Sequence, residues 1–186
     1  MKHRHHRWAV GAIALALTAC AKSFDMSAER LTPLRPEWGI VIGSVLVKAA
    51  DDSDMTYQFD IVQSLPGSPD GGPNSKRYRL EAKAGEERTF VSSLREGKYL
   101  FKSFAQERIV GVGGELGLVF ESRAGEIRYI GRLVVEVPQR VSRGKEYRFT
   151  VENARASTLT HISNRHPELA RQAVDAPMRT REQPAP

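Results

Sequence analysis

Between residues 38 and 153 the chain repeats short runs in which apolar side chains recur at every second position, the period of a β-strand with one buried face. TYQFDIVQ (56–63) places Tyr57, Phe59 and Ile61 on one face, and YRFTVEN (147–153) does the same with Tyr147, Phe149 and Val151. WGIVIGSVLV (38–47) is apolar on both faces, which predicts a central strand covered on both sides. Further strands are predicted in KRYRLEAK (76–83), RTFVSSL (88–94), KYLFKSFAQ (98–106), LGLVFES (116–122) and EIRYIGRLVVEV (126–137). In the last of these Ile127, Tyr129, Leu133, Val135 and Val137 share a parity and are expected on one face. Gly85, Gly97 and Gly125 mark turns between runs. Repeated short strands without intervening helices predict a mainly β fold, an antiparallel β-sandwich of about 7–8 strands.

The pattern changes on both sides of this body. AKSFDMSAERLTPLRPE (21–37) has no clear period and contains two prolines, so it reads as a flexible tether. Square-root scaling gives such a segment an end-to-end distance of roughly 23 Å. Within the body, SLPGSPDGGPNSK (64–76) holds three prolines and three glycines and is expected to be a long exposed loop, the best loop candidate for contact with a partner. In SNRHPELARQAVDAP, Pro167 suits the first turn of a short C-terminal helix, and Leu169, Ala173 and Val174 form a narrow apolar stripe suited to docking on the sheet. MRTREQPAP (178–186) reads as a disordered end. The expected division is 1–19 as a leader, 20–37 as an anchor and tether, 38–153 as the β domain, and 154–186 as a short helix with a disordered tail.

The first twenty residues have a different logic. Lys2, Arg4 and Arg7 precede an apolar run from Trp8 to Ala19, with no acid among them, and the run meets polar chain straight after Cys20. That is the layout of a secretory signal, too short for the roughly 20 apolar residues of a permanent span. LTAC, Leu17 to Cys20, resembles the lipobox of bacterial lipoproteins, with Leu17, Thr18 and Ala19 as the signal-peptidase recognition residues. The resemblance implies that the Cys20 thiol receives a diacylglycerol, that cleavage leaves Cys20 as the new N-terminus, and that its amine is acylated as well. Ala21 and Lys22, with no Asp after the cysteine, resemble the outer-membrane sorting pattern of enteric-type bacteria. The alternatives are an ordinary secretory signal with a chance cysteine, or a small buried thiol in an N-terminal helix.

Composition narrows the partners. The net charge of +6 includes the leader; without residues 1–19, 28 basic residues become 25 against 22 acidic ones, or +3. Lys and Arg are scattered and interleaved with acids, as in EIRYIGRL, so a nucleic-acid partner is not expected. With Cys20 given to lipid, no disulfide forms within the chain and the core must supply the stability.

Candidate chemistry is sparse. After cleavage only His161 and His166 remain, both in the polar C-terminal region and away from any nucleophile turn. GVGGELG (111–117) lacks the strand–turn–helix context of a phosphate loop and reads as a flexible strand connection. DDSD, Asp51 to Asp54, offers clustered carboxylates to a hard cation, or simply a solvated hairpin. No catalytic residues, cofactor or metal site are assigned.

FVSSLREGKYLFKSF (90–104) resembles the strand–Gly-turn–strand segment of transthyretin-like and carboxypeptidase-regulatory-type β-sandwiches, and AGEIRYIGRL (124–133) is similar to a GE-x-x-Y-x-G segment of small bacterial lipoproteins. Arg95 and Glu96 stand where that turn often has a small residue or proline. The resemblance implies a binding, scaffold or accessory module rather than an enzyme. The expected function is therefore a lipid-anchored binding or scaffold module of the cell envelope, facing the periplasm from the outer membrane and held through acyl chains on Cys20, with an envelope protein as its partner. Two alternatives stay open: an accessory subunit of an envelope secretion or assembly complex, and an envelope-associated hydrolase using His161 or His166.

Overall fold

The computed structural model describes residues 21–25, 36–49, 54–107, 113–137 and 147–181. The elements are β1 (Lys22–Ser23), β2 (Trp38–Ala49), β3 (Thr56–Ser64), β4 (Arg77–Lys83), β5 (Glu87–Arg95), β6 (Gly97–Gln106), β7 (Gly113–Ser122), β8 (Ile127–Val137), β9 (Arg148–Glu152), α1 (Arg155–Ser163), α2 (Pro167–Gln172), β10 (Val174–Asp175) and β11 (Arg179–Thr180). The fold is a β-sandwich with short C-terminal helices, and each of the eight runs with strand periodicity forms one of the strands β2 to β9.

One sheet has the order β1-β4-β3-β6-β7-β11 and the other β10-β8-β2-β5, with β9 also on β8. The long pairings are antiparallel except β2 with β8, which run parallel from Ile40↔Ile127 to Ala49↔Val137. β8 shares its other edge between β10 at residues 128–129 and β9 at residues 132–136.

The double-sided apolarity of β2 follows from this position. Val41, Val45 and Val47 enter the aromatic core between the sheets, while Ile40 and Ile42 belong to a second cluster with Val91, Ile127, Tyr129, Ile162 and Ala173 on the sheet's outer face. The helices cover that face, with Leu159 and Leu169 packed on the cluster. Val174, read as part of the same stripe, is instead 49% exposed. Tyr57, Phe59 and Ile61 all enter the main core, and Tyr147, Phe149 and Val151 pack at its margin.

β8 does not keep one parity. Ile127 and Tyr129 lie in the outer cluster, whereas Leu133, Val135 and Val137 lie in the inner one. The register against β2 shifts between Ile42↔Tyr129 and Ser44↔Arg132, so Ile130 and Gly131 face the single residue Gly43. Gly131 has φ +95°, the glycine-favouring conformation of a β-bulge, and the extra residue flips every later side chain to the opposite face.

Three further expectations are corrected. Helix α1 lies in a stretch without a clear apolar period; it buries Thr158 and Ile162, with no side-chain cap at Ala154. Gly113 to Gly117, read as a flexible connection, belong to β7. Residues 178–180, read as a disordered end, are built into the fold: Met178 is buried, and Arg179 and Thr180 pair with Val119 and Leu118.

Candidate functional site

The most informative departure from expectation lies immediately after the LTAC segment. Cys20, with Leu17, Thr18 and Ala19, lies outside the described residues, as do residues 26–35 of the expected tether, but residues 22–25 are not free. Lys22 and Ser23 pair in parallel with Tyr78 and Arg79 of β4, and the Phe24 amide donates to the Arg79 carbonyl at 2.8 Å. Phe24 is fully buried. Its ring meets Tyr78, Phe101 and Phe120 of one sheet and Phe90 of the other edge-on, with centroids 5.2–6.1 Å apart. Edge-to-face contacts of this kind add to area burial.

Asp25 completes the clasp on the opposite sheet. Its carboxylate pairs with Arg88 and accepts from the Val91 amide of β5 at 3.4 Å. β4 and β5 are edge strands apart from this segment. Residues 22–25 thus bridge the two sheet edges and cover polar groups that an open edge would leave available to another chain.

The clasp places Lys22 at the end of the sandwich where β4 begins and β5 ends. Trp38, the first residue of β2, stands there between two cations: Lys76 Nζ is 5.8 Å and the Arg95 guanidinium 6.0 Å from its ring. Both lie within cation–π range. Lys76 is held below the ordinary lysine pKa, first by partial burial and then by the charges of Arg95 and Lys22. Lys76 thus lies near both other cations, and none of the three is in an ion pair among the described residues. Glu37 and Glu96 share this end and are joined by a backbone hydrogen bond of 2.9 Å. Behind the cluster Tyr78 and Tyr99 are buried, and burial pushes both phenols above their usual pKa; the Tyr99 hydroxyl donates to the Arg95 carbonyl at 2.9 Å.

The loop at 64–76 runs from this end across the first sheet. Lys102 Nζ reaches the Asp70 carbonyl at 3.5 Å, and the Asp70 carboxylate pairs with Arg181 beyond β11. Between loop and strand lies an open groove of about 710 Å³, lined by Asp70, Leu100, Lys102, Glu115, Thr180 and Arg181. Its lining mixes both signs of charge with apolar surface.

The other residues singled out in the sequence are dispersed. His161 is exposed in the last turn of α1, and His166 precedes α2; neither imidazole has a hydrogen-bond partner among the described residues. Asp54 is exposed and pairs with Lys83 at 3.3 Å, while Asp51 and Asp52 lie outside the described residues. Among the described residues, no helix is long and apolar enough to cross a membrane.

Lys22, Trp38, Lys76 and Arg95 come from separate stretches, so no sequence motif joins them. Phe24 was hidden in a segment too short and polar to show a period. No family model, curated protein or solved structure matches the chain.

Proposed function

We propose that this chain is a lipid-anchored module of the bacterial envelope, acylated on Cys20 after removal of residues 1–19, that acts by binding or scaffolding an envelope partner. The observation that carries the reading is the clasp: the strand β1 starts at Lys22, two residues after the lipobox cysteine, and Phe24 is fully buried. A cleavage just before Cys20 leaves that clasp intact. The resemblance of residues 90–104 to transthyretin-like sandwiches supports an accessory role.

Two acyl chains or more hold such a protein stably, since each buried methylene contributes roughly 0.8 kcal/mol. A Cys20→Ala chain should therefore lose metabolic labelling by fatty acid and leave the processed membrane fraction. In-cell crosslinking of the native protein should capture one defined envelope protein, and shortening loop 64–76 should remove that capture. Equal labelling of the Cys20→Ala chain contradicts the anchor; turnover of ester or glycan substrates that is lost on His161→Ala or His166→Ala contradicts the module in favour of an enzyme.

A further inference from the structure

We propose that the end of the sandwich bearing Lys22, Trp38, Lys76, Arg77 and Arg95 lies against the bilayer and binds anionic phospholipid headgroups. The inference rests on the lipid-anchor reading and adds to it an orientation and a ligand class.

Chain reach supplies the first argument. Two residues carry the chain from Cys20 to Lys22, at most about 7 Å of extended backbone. Because Lys22 is fixed in register with Tyr78, acyl chains on Cys20 keep this end of the sandwich, and not the opposite one, next to the headgroups, at a reach of about 7 Å of backbone. A flexible tether would have left the orientation free. The buried Phe24 removes that freedom.

Charge supplies the second. Lys22, Lys76 and Arg95 are gathered without an ion-pair partner among the described residues, and the exposed Arg77 follows Lys76 at the start of β4. Of the acids at the same end, Glu37 and Glu96 pair with none of them, and Glu121 and Glu126 pair with Arg123 and Arg128 instead. A phospholipid surface presents the anion that the described residues do not supply to this cluster, and each basic residue near such a surface favours contact by about fivefold.

Trp38 supplies the third. It stands half-buried among the cations, the amphipathic ring that suits the level of the headgroups. Once residues 1–19 are removed it is also the only tryptophan of the chain, because the other is Trp8. Its fluorescence therefore reports this end alone.

The test uses the acylated full-length product reconstituted in vesicles of equal phosphatidylcholine and phosphatidylglycerol containing a headgroup spin label. Trp38 emission should be quenched. Quenching should fall several-fold in high salt, and likewise in a Lys22→Gln, Lys76→Gln, Arg95→Gln variant, while vesicle flotation is unchanged because the acyl chains persist. Melting curves check that the variant folds, and the salt titration of the native protein decides the matter if it does not. Unquenched emission from acylated, floating protein overturns the proposal and leaves the anchor standing, as does quenching that neither salt nor the variant alters. Crosslinking of this end to an envelope protein with Trp38 unquenched assigns the surface to that protein instead. An unacylated Cys20 removes the anchor and this proposal together.

Discussion

Two clusters of charge in this small sandwich are built on opposite plans. On the outer face of the second sheet, Arg132 lies between two acids, donating to Glu152 at 2.8 Å and to Glu87 at 3.1 Å. Glu87 also accepts from the fully buried Ser44 hydroxyl at 2.6 Å, which in turn meets Thr158 of α1 at 3.3 Å. Each partner in this node is satisfied, and the hydrogen bond that Arg132 donates to Glu152 heads the causes that raise the Arg132 pKa. At the end bearing Trp38, Lys76 lies with the like charges of Arg95 and Lys22, and partial burial first and those charges second push it down. A node whose charges are mutually satisfied holds α1 to the sheet; the cluster of like charge has no counter-ion among the described residues. The contrast separates charge that is satisfied within the fold from charge that is left unpaired among the described residues.

The comparison depends first on Phe24, because it fixes Lys22 in the cluster. Phe24→Ala should cost about 3–5 kcal/mol, the range for deleting a buried aromatic side chain. Denaturant unfolding measures it, and a loss near zero would mean that the clasp does not anchor the N-terminal segment. Removing the centre of the satisfied node comes next. Arg132→Ala should cost about 1.5–3 kcal/mol, since it breaks charge-assisted hydrogen bonds and strands Glu87 beside buried Ser44. An Arg132 variant as stable as the parent would erase the distinction between the clusters.

Alkaline pH sharpens the contrast by probing the ground beneath the basic end. Tyr78 and Tyr99 are neutral in the folded protein, and burial holds both above their usual range. In the unfolded chain they ionise near pH 10. Their contribution is thus complete below about pH 10 and is lost as pH rises through the folded-state values. Melting temperature should fall progressively above that point, and a Tyr99→Phe variant should fall less steeply from its own lower plateau. The smallest effect comes last: Lys76→Gln without membranes should change stability by no more than about 0.5 kcal/mol, because relief of repulsion offsets the lost cation–π contact with Trp38. A clear loss would make Lys76 a structural residue like Arg132.

The strands were legible because apolar alternation and glycine turns are local. The strand β2 even disclosed its central place, since Ile40 and Ile42 needed a cover as much as Val41 and Val45 did. What stayed hidden depends on partners distant in sequence. Phe24 looks like one aromatic residue in a polar stretch until Phe90, Phe101 and Phe120 surround it. The β8 bulge rests on a glycine that also fits ordinary turn or strand roles, and α1 is held by Ser44 and the outer apolar cluster rather than by an apolar stripe of its own. Gly114 shows the same dependence: a Cβ there would lie 1.9 Å from the Tyr147 ring, a constraint set by a residue 33 positions away. The basic end was invisible for the same reason, as its members enter on β1, β2, β4 and β5 or beside them.

The measurement that bears most directly on the account is the mass of the N-terminal peptide of protein extracted from membranes. A peptide beginning at Cys20 and carrying a diacylglyceryl group, with or without a further acyl chain on its amine, is the predicted result. An unmodified Cys20, or an N-terminus at any other residue, contradicts it.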